Sequence, residues 1–354
     1  MKQARLLSLD ALRGVAAIVV LIHHAERELH FTASFAYGYL AVDIFFLMSG
    51  FVIAGAYEPR MDARMGLWTF LKLRLIRLYP MMLIGALIGI AVAAARGPGD
   101  APLLLAGASA LLMLPLVWTG PLLFPVNIPE WSIFFEIVTN TLHRLTISWL
   151  GERLLVAIIA VSFLLLGVAG WRLHGLANGF SPETFWGGFP RVFFSYFLGV
   201  LLHRTQPRWR AHVPVLPLPL LLVAFLAIVL GESALGGRIP ASAYWLGAVT
   251  IAFPLGLMLL AQARVPAAME RISEALGDLS YPLYAVHMPL LLIAAPAILP
   301  LSGPARAGLA IPVGGVIVIV ALLLDRYYDR PVRKRIQGRR ADPAPVAEVE
   351  IAAP

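Results

Sequence analysis

Long apolar runs recur along almost the whole of this chain, and they limit its fold more than any other feature. Each run has about 18 or more residues, enough for a helix to cross ~30 Å of hydrocarbon. Only α-helices and closed barrels satisfy their backbone polar groups in lipid, and these runs lack the alternation of barrel strands. We therefore predict an all-α, polytopic membrane helical bundle. The composition agrees, since 60% of the residues are hydrophobic and only 14% are charged.

Eleven segments are candidate membrane spans. They are 13–30, 38–57, 77–95, 103–124, 131–149, 153–171, 187–203, 213–231, 244–262, 281–300 and 307–325. Positive charge is concentrated in the loops of one side, which the positive-inside rule assigns to the cytoplasm. Both termini then face the cytoplasm, so the number of crossings must be even. We predict ten transmembrane helices, with the polar segment 131–149 either re-entrant or merged with a neighbour.

The cations that define this orientation precede the first span, separate the second from the third, and follow the seventh and the last. They are Lys2, Arg5, Arg60, Arg64, Lys72, Arg74, Arg77, His203, Arg204, Arg208, Arg210, Arg330, Arg333, Lys334, Arg335, Arg339 and Arg340. We therefore interpret the net charge of +8 as topology and not as nucleic-acid binding. Residues 1–328 should form the transmembrane domain, and 329–354 a basic, then Ala/Pro-rich, disordered cytoplasmic tail.

Several chemistries are excluded early. The chain contains no cysteine, which excludes disulfides, thiolate metal sites and a cysteine nucleophile. No His-rich cluster has the spacing of metal ligands, so no metal is predicted. The first apolar run is not followed by a small-residue cleavage site, so we expect no cleavable signal peptide.

Arg13 and His24 lie eleven residues apart in the first candidate span. On an α-helix this is three turns plus about 20°, so both share a face and are separated by ~16 Å along the axis. A snorkelling Arg and an interfacial His would explain the pair without a function. Asp43 favours a function, because it lies at a similar depth and could orient His24 as a general base. The alternative for Asp43 is a structural ion pair between helices.

Three further segments place polar groups in apolar surroundings. Ser49 and Gly50 follow two aromatic residues and suit either close helix packing or a narrow ligand passage. Arg74 and Arg77 share one helix face at the cytoplasmic edge, where they could enforce orientation or bind phosphates. Glu136 lies in an aromatic segment, where it either pairs with an arginine or serves the reaction near the acceptor.

Two aromatic residues complete the candidate set. Tyr79 follows the two arginines and precedes Pro80. His287 lies in an otherwise uncharged span, where a single histidine is first interpreted as a packing residue and second as part of a substrate site.

Five motifs together resemble the acyltransferase 3 family of bacterial integral-membrane acyltransferases. They are the Arg-x10-His pair, Asp-x-Phe-Phe-x-x-Ser-Gly (43–50), Arg-x-x-Arg-x-Tyr-Pro (74–80), Trp-Ser-x-x-x-Glu (131–136) and Ser-Tyr-x-x-Tyr-x-x-His (280–287). Each motif is weak alone, but the five occur in this order over nearly the whole chain. The resemblance independently implies about ten spans in the bacterial inner membrane.

The resemblance also implies a reaction. An acyl group, usually acetyl, would pass from cytoplasmic acyl-CoA to a hydroxyl of a carbohydrate such as O-antigen, exopolysaccharide or peptidoglycan. His24 would be the essential catalytic residue and Arg13 its companion. Some relatives carry an additional soluble esterase-like domain, and this chain is similar to the stand-alone form.

These assignments give a mechanism as a hypothesis. The expected catalytic residues are His24, Asp43, Arg13 and Glu136, and the expected substrate-binding residues are Arg74, Arg77, Ser49, Tyr79 and His287. The arginines would hold the phosphates of acyl-CoA while its pantetheine arm reaches along the first span. His24 would act as general base on the acceptor hydroxyl, or would itself become acylated in a two-step transfer.

A proton-coupled transporter or flippase is the main alternative, since intramembrane His, Asp, Glu and Arg also mark proton relays. The sequence has neither an inverted repeat nor matching Gly/Pro-broken helices in two halves. A receptor-like or scaffold protein would leave the arginine cluster unexplained. The expected partners are acyl-CoA, a carbohydrate and the lipid bilayer, without nucleic acid, and a homo-oligomer is compatible with the sequence.

Overall fold

The apolar runs form long helices in the computed structural model of the chain. The structure describes residues 6–31, 35–63, 65–96, 102–117, 120–173, 175, 177–235, 238 and 240–338. Its helices are α1 Leu7–Glu28, α2 Ala41–Ala63, α3 Leu67–Arg96, α4 Leu103–Leu112, α5 Glu130–Thr146, α6 Glu152–Arg172, α7 Phe185–Arg204, α8 Gln206–Trp209, α9 Leu218–Leu235, α10 Ala241–Gly247, α11 Phe253–Leu260, α12 Ala267–Ile298, α13 Gly303–Leu324 and α14 Arg330–Gly338. Short π-helical segments join α10 to α11 and α13 to α14.

Nine helical segments of the described chain are long and apolar enough to cross a membrane. They are Leu7–Glu28, Gly38–Met61, Leu67–Arg96, Glu152–Arg172, Phe185–Arg204, Leu218–Leu235, Ala241–Leu260, Ala267–Ile298 and Gly303–Gly338. The predicted all-α, polytopic membrane bundle is therefore confirmed.

We interpret the candidate spans 103–124 and 131–149 as one further passage through the bundle, because neither forms a long apolar helix of its own in the described residues. α4 ends at Leu112, and Met113 has a left-handed φ of 53°. Four prolines follow in 113–129, and proline cannot donate the N–H that continues a helix. The expectation of a full span over 103–124 was therefore wrong. α5 completes the passage, and its Arg144 donates a hydrogen bond of 2.7 Å to the Met65 carbonyl between α2 and α3.

The first and last described helices meet at one end of the bundle, which we call the basic end. There Arg330 is paired with Asp278 at 2.8 Å, and Asp10 lies against Gly277. Tyr57, near the end of α2, lines the same space. An even number of passages, as predicted from the loop charges, is consistent with this arrangement.

Parts of the predicted orientation signal and tail fall outside the described residues. They are Lys2, Arg5, Arg64, Arg339 and Arg340, together with the remainder of 339–354. Of the predicted tail, Arg330–Gly338 forms α14.

Two glycines let α2 and α7 cross in backbone contact. A Cβ on Gly50 would collide with the carbonyl of Tyr196, and a Cβ on Gly199 would collide with the carbonyl of Leu47. Small residues at such crossings allow helices in lipid to approach closely. The crossing fixes the height of Ser49, which immediately precedes Gly50.

Glu58 ties α2, α5 and α7 together near the basic end. Its carboxylate accepts hydrogen bonds from His143 Nε2 at 2.9 Å and from Arg204 Nη2 at 2.8 Å. The other ring nitrogen of His143 lies 2.9 Å from the Tyr196 hydroxyl. Glu136 precedes His143 by seven residues, about two helical turns, so both lie on the same inward face of α5.

Candidate active site

A cavity inside the bundle is lined by α1, α2, α3, α5 and α12. It contains about 750 Å³ of space free of protein atoms, and we call it the inner cavity. Five of the nine residues predicted for the site line it, namely Arg13, Ser49, Arg74, Arg77 and Glu136. Much of the remaining lining is apolar and includes Phe45, Phe46 and Leu78. An apolar chamber with a few polar groups is typical of a small-molecule site.

A second cavity lies at the basic end and adjoins the inner cavity, and we call it the mouth. It contains about 1210 Å³ of empty space. Arg13, Arg77 and Tyr281 line both spaces, so the two cavities adjoin at these residues. We interpret the mouth and the inner cavity as one route from the basic end into the bundle.

Ion pairs compensate most of the charge along this route. In the mouth, Arg330 lies 2.8 Å from Asp278 and 2.5 Å from Asp325. Arg333 lies 2.5 Å from Asp329. Arg13 is 3.9 Å from Asp10, one turn away on α1.

Arg77 differs from these cations. Within the described residues it makes no hydrogen bond and no ion pair. Its charged neighbours are Arg13, Arg74 and Glu136, and Glu136 is already bound by Arg74. A guanidinium held inside an apolar bundle is costly unless an anion or water reaches it. The narrow passage of the route is therefore suited to a negatively charged ligand.

Ser49, Arg74 and Glu136 converge on one side of the inner cavity. Glu136 Oε1 accepts hydrogen bonds from Ser49 Oγ at 2.7 Å and from Arg74 Nη2 at 2.5 Å. Arg74 is thus compensated by a carboxylate of the protein, and its role as a phosphate ligand stays a prediction. The pairing of Glu136 with an arginine, one of the two predicted alternatives, is present, and the pair faces the cavity.

Asp43 is paired with Arg191 and not with His24. Its two carboxylate oxygens accept hydrogen bonds from Arg191 Nε at 2.9 Å and Nη2 at 2.7 Å. Arg191 also donates to the Tyr39 carbonyl at 3.0 Å, and its guanidinium lies 5.1 Å from the Trp131 ring centroid. The predicted His24–Asp43 dyad is therefore wrong, because a bidentate guanidinium binds a carboxylate more strongly than a neutral imidazole does.

Arg191 was missing from the predicted site although the sequence carried a signal for it. It lies inside the candidate span 187–203, where an arginine is expected to have a specific partner. Nothing in the sequence indicates which span provides that partner.

His24 lies beside His287 of α12. Their ring centroids are 5.2 Å apart, and the His24 ring is also 5.3 Å from that of His23. His23 Nδ1 lies 2.9 Å from the Phe35 carbonyl. His287 is completely enclosed, with 1% of its surface exposed. The described residues thus place a pair of histidines, His24 and His287, where a His–Asp pair was predicted.

Tyr284 separates the inner cavity from the two histidines. It lines the cavity, whereas His24 and His287 are not among the described residues that do so. Its ring centroid is 5.8 Å from those of both Phe45 and His287. Its hydroxyl lies 2.6 Å from Ser132 Oγ. Tyr284 is the second tyrosine of the motif at 280–287, but it was not predicted as a site residue, since a tyrosine in an apolar helix carries no charge signal.

Tyr79 does not belong to this site. It is 36% exposed, and its hydroxyl donates a hydrogen bond of 3.1 Å to the Leu111 carbonyl. It therefore ties α3 to α4 on the outside of the bundle, and its predicted role in substrate binding is corrected. Along α3, Tyr79 lies two residues after Arg77, which places the two on different faces of the helix.

Comparison with known proteins gives the family. Residues 6–326 match the family model of acyltransferase 3, described as an acyltransferase domain. "Protein 2 in picA locus" of Rhizobium radiobacter is 35% identical over 183 residues, which cover 47% of this chain and 94% of that protein. No solved structure matches the chain significantly. The family match includes the whole lining of the inner cavity together with His24 and His287, and the chain therefore belongs to the acyltransferase 3 family as a multi-pass membrane acyltransferase.

Proposed function

We propose that this acyltransferase transfers an acyl group, in the first place acetyl, from acyl-CoA to a hydroxyl of a cell-surface or exported carbohydrate. The observation that carries the proposal is the route from the basic end, past Arg77, to Tyr284. Acyl-CoA carries its phosphates at one end and its thioester at the end of a flexible arm. The route provides a cationic passage followed by an apolar chamber, in the same order.

The proposal places the basic end at the cytoplasmic face of the bacterial inner membrane. Loops rich in Lys and Arg are retained in the cytoplasm, and acyl-CoA is a cytoplasmic metabolite. The opposite end, which contains His23, His24 and Phe35, would then face the periplasm. An exported carbohydrate would approach His24 from that side.

In this arrangement, different residues of the route bind different parts of acyl-CoA. Arg77, with Arg13 beside it, binds the phosphates by charge and by directed N–H groups. Ser49 and Glu136, held in place by Arg74, present hydroxyl and carboxylate oxygens to the arm, whose amide N–H groups need acceptors away from water. The apolar remainder of the inner cavity accommodates the aliphatic part of the arm.

Transfer requires the Tyr284 ring to turn away from Phe45, so that the thioester meets His24. His24 removes the proton from the acceptor hydroxyl, and that oxygen attacks the thioester carbonyl. The carbon–sulfur bond breaks, and CoA leaves as a thiol with the proton from His24. The alternative is a two-step route in which His24 is acylated first.

The substitution Arg77→Gln tests the proposed donor site, because its effect on the binding of acetyl-CoA to the purified protein can be measured. Because this substitution removes the charge of the passage, we expect the Kd to rise at least about tenfold, or ~1.4 kcal/mol. Isothermal titration calorimetry in detergent measures the Kd.

Arg208→Gln is the matched control, since Arg208 is an exposed arginine that pairs with Glu152 and does not line either cavity. Its Kd should equal that of the wild type. Equal Kd values for Arg77→Gln and the wild type, or no binding by folded wild-type protein, would contradict the proposed donor site.

A further inference from the structure

The backbone determines which nitrogen of His287 carries its proton. Nδ1 lies 3.0 Å from the carbonyl oxygen of Leu283 and 2.9 Å from that of Tyr284. A carbonyl oxygen only accepts hydrogen bonds, so Nδ1 must be the donor. In the neutral ring, Nε2 is then a lone-pair acceptor, and the tautomer of His287 is fixed.

That acceptor has no partner among the residues that the structure describes. Nε2 of His287 is buried and makes no hydrogen bond. A buried acceptor without a donor destabilises the folded protein. His287 Nε2 is buried without a partner despite this cost, so we expect a hydrogen-bond donor to reach it when the enzyme is active.

His24 is placed to be that donor. The centroids of the two rings are 5.2 Å apart, and two imidazoles joined by an N–H···N bond have centroids about 5 Å apart. The rings are inclined by 45°, so a rotation of the His24 side chain would align the bond. Around this pair, His23 is engaged with the Phe35 carbonyl and the Tyr284 hydroxyl with Ser132.

We propose that His287 Nε2 accepts a hydrogen bond from the N–H of His24 and thereby acts as a positioning residue. This inference rests on the proposed function. The bond leaves the second nitrogen of His24 as a lone pair directed toward the acceptor hydroxyl. When His24 takes the acceptor's proton, the same bond stabilises the imidazolium until the proton leaves with the CoA thiol. His287 itself gains and loses no proton.

A neutral acceptor suits this depth of the bundle better than a carboxylate does. Burying an ionised carboxylate requires a full counter-charge, and Asp43 obtains one from Arg191. An imidazole with a fixed tautomer provides a directed lone pair without that cost. Asp43 thus compensates the charge of Arg191, whereas His287 orients His24.

Two substitutions of His287 separate positioning from packing. His287→Leu removes the acceptor and keeps an apolar side chain, whereas the amide oxygen of His287→Gln can still accept from His24. We expect kcat to fall at least about 100-fold in His287→Leu, the usual range for general-base catalysis, with the KM for acetyl-CoA within threefold of the wild type. His287→Gln should retain at least about tenfold more activity than His287→Leu.

The assay uses inverted membrane vesicles of the native host in which each variant replaces the chromosomal copy. Vesicles receive [14C]acetyl-CoA, and base-labile label in carbohydrate is measured per amount of protein in the membrane. His203→Leu is the control, since His203 is a histidine of α7 that packs on Phe51 with centroids 5.1 Å apart and lines neither cavity. It should keep wild-type kcat.

The outcomes separate this inference from the proposed function. Wild-type kcat in His287→Leu would overturn the inference, and so would an equal loss in the Leu and Gln variants, because a packing role predicts no rescue by an acceptor. Failure of the wild-type protein to transfer label would overturn the proposed function itself. Binding of acetyl-CoA to each purified variant shows that the donor site is intact.

Discussion

Asp43 and Arg191 bury two full charges between α2 and α7, each almost completely enclosed by protein. Desolvation makes either charge costly alone, and the pair is stable because its geometry is bidentate and because Tyr39 and Trp131 satisfy the rest of the guanidinium. The pair is therefore expected to serve the stability of the bundle more than the chemistry at His24.

The substitution Asp43→Asn tests this at the residue scale. It leaves Arg191 as an uncompensated buried cation, so we expect unfolding to become easier by about 3–5 kcal/mol. The double variant Asp43→Asn/Arg191→Gln should lose less than the sum of the single variants, since the two side chains share one interaction. Thermal unfolding in detergent measures both effects.

Glu152→Gln is the control, because it breaks an exposed ion pair with Arg208 and should change stability little. Unchanged stability of Asp43→Asn together with complete loss of transfer would restore the His24–Asp43 dyad.

The residue types in the sequence identified many of the residues that line the site, but not which of them form ion pairs or hydrogen bonds with each other. Arg13, Ser49, Arg77 and Glu136 come from four distant segments and line one cavity. Each was recognisable because a polar group in an apolar span is costly. The partners depend on which helices are neighbours, and a single sequence with no repeat does not contain that information. This is why Asp43 was assigned to His24.

At the scale of the elements, the crossing of α2 and α7 positions the polar side of the inner cavity. Gly50 and Gly199 bring the two backbones into contact, and Ser49 reaches Glu136 from the same turn of α2. The separation of these helices is therefore coupled to the geometry of the proposed donor site.

Gly199→Val tests this coupling. The added side chain would meet the Leu47 carbonyl, and overpacking of this kind costs about 1–3 kcal/mol. We expect a lower unfolding temperature and weaker binding of acetyl-CoA, because α2 must move and carry Ser49 with it.

Gly167→Val is the matched control, since a Cβ at Gly167 of α6 meets nothing within 4 Å. If both variants unfold at the wild-type temperature and bind acetyl-CoA equally well, the crossing does not have the proposed role.

Apolar composition alone is insufficient to predict which segments form full-length membrane-spanning helices. The segment 103–124 is as apolar as the true spans, yet its helix ends at Leu112 before a proline-rich stretch. Composition indicates residence in or near the membrane, and the prolines determine how much of the segment is helical. The polar segment 131–149 forms all of α5 except its first residue, and we interpret α5 as sharing one passage with α4.

For the whole molecule, length and apolar composition were sufficient to predict a polytopic helical bundle, because lipid leaves so few alternatives for the backbone. The route from the mouth to Tyr284 was not predictable, since it arises from gaps between five helices that are distant in sequence. The route passes Arg77 at the basic end and stops at the ring of Tyr284. His24 and His287 lie on the other side of that ring.

The most direct test of the whole account is acetyl transfer by His24→Ala in inverted vesicles supplied with [14C]acetyl-CoA. The chain contains no cysteine, so CoA released by the purified protein can also be followed with a thiol reagent without background from the chain. The account predicts that wild-type protein labels carbohydrate and releases CoA in equal amounts. His24→Ala should do neither, while it binds acetyl-CoA like the wild type. Two results would contradict the account. One is a wild-type rate of acetyl transfer in His24→Ala. The other is a wild-type protein that moves a substrate across the membrane without acyl-CoA and labels no carbohydrate.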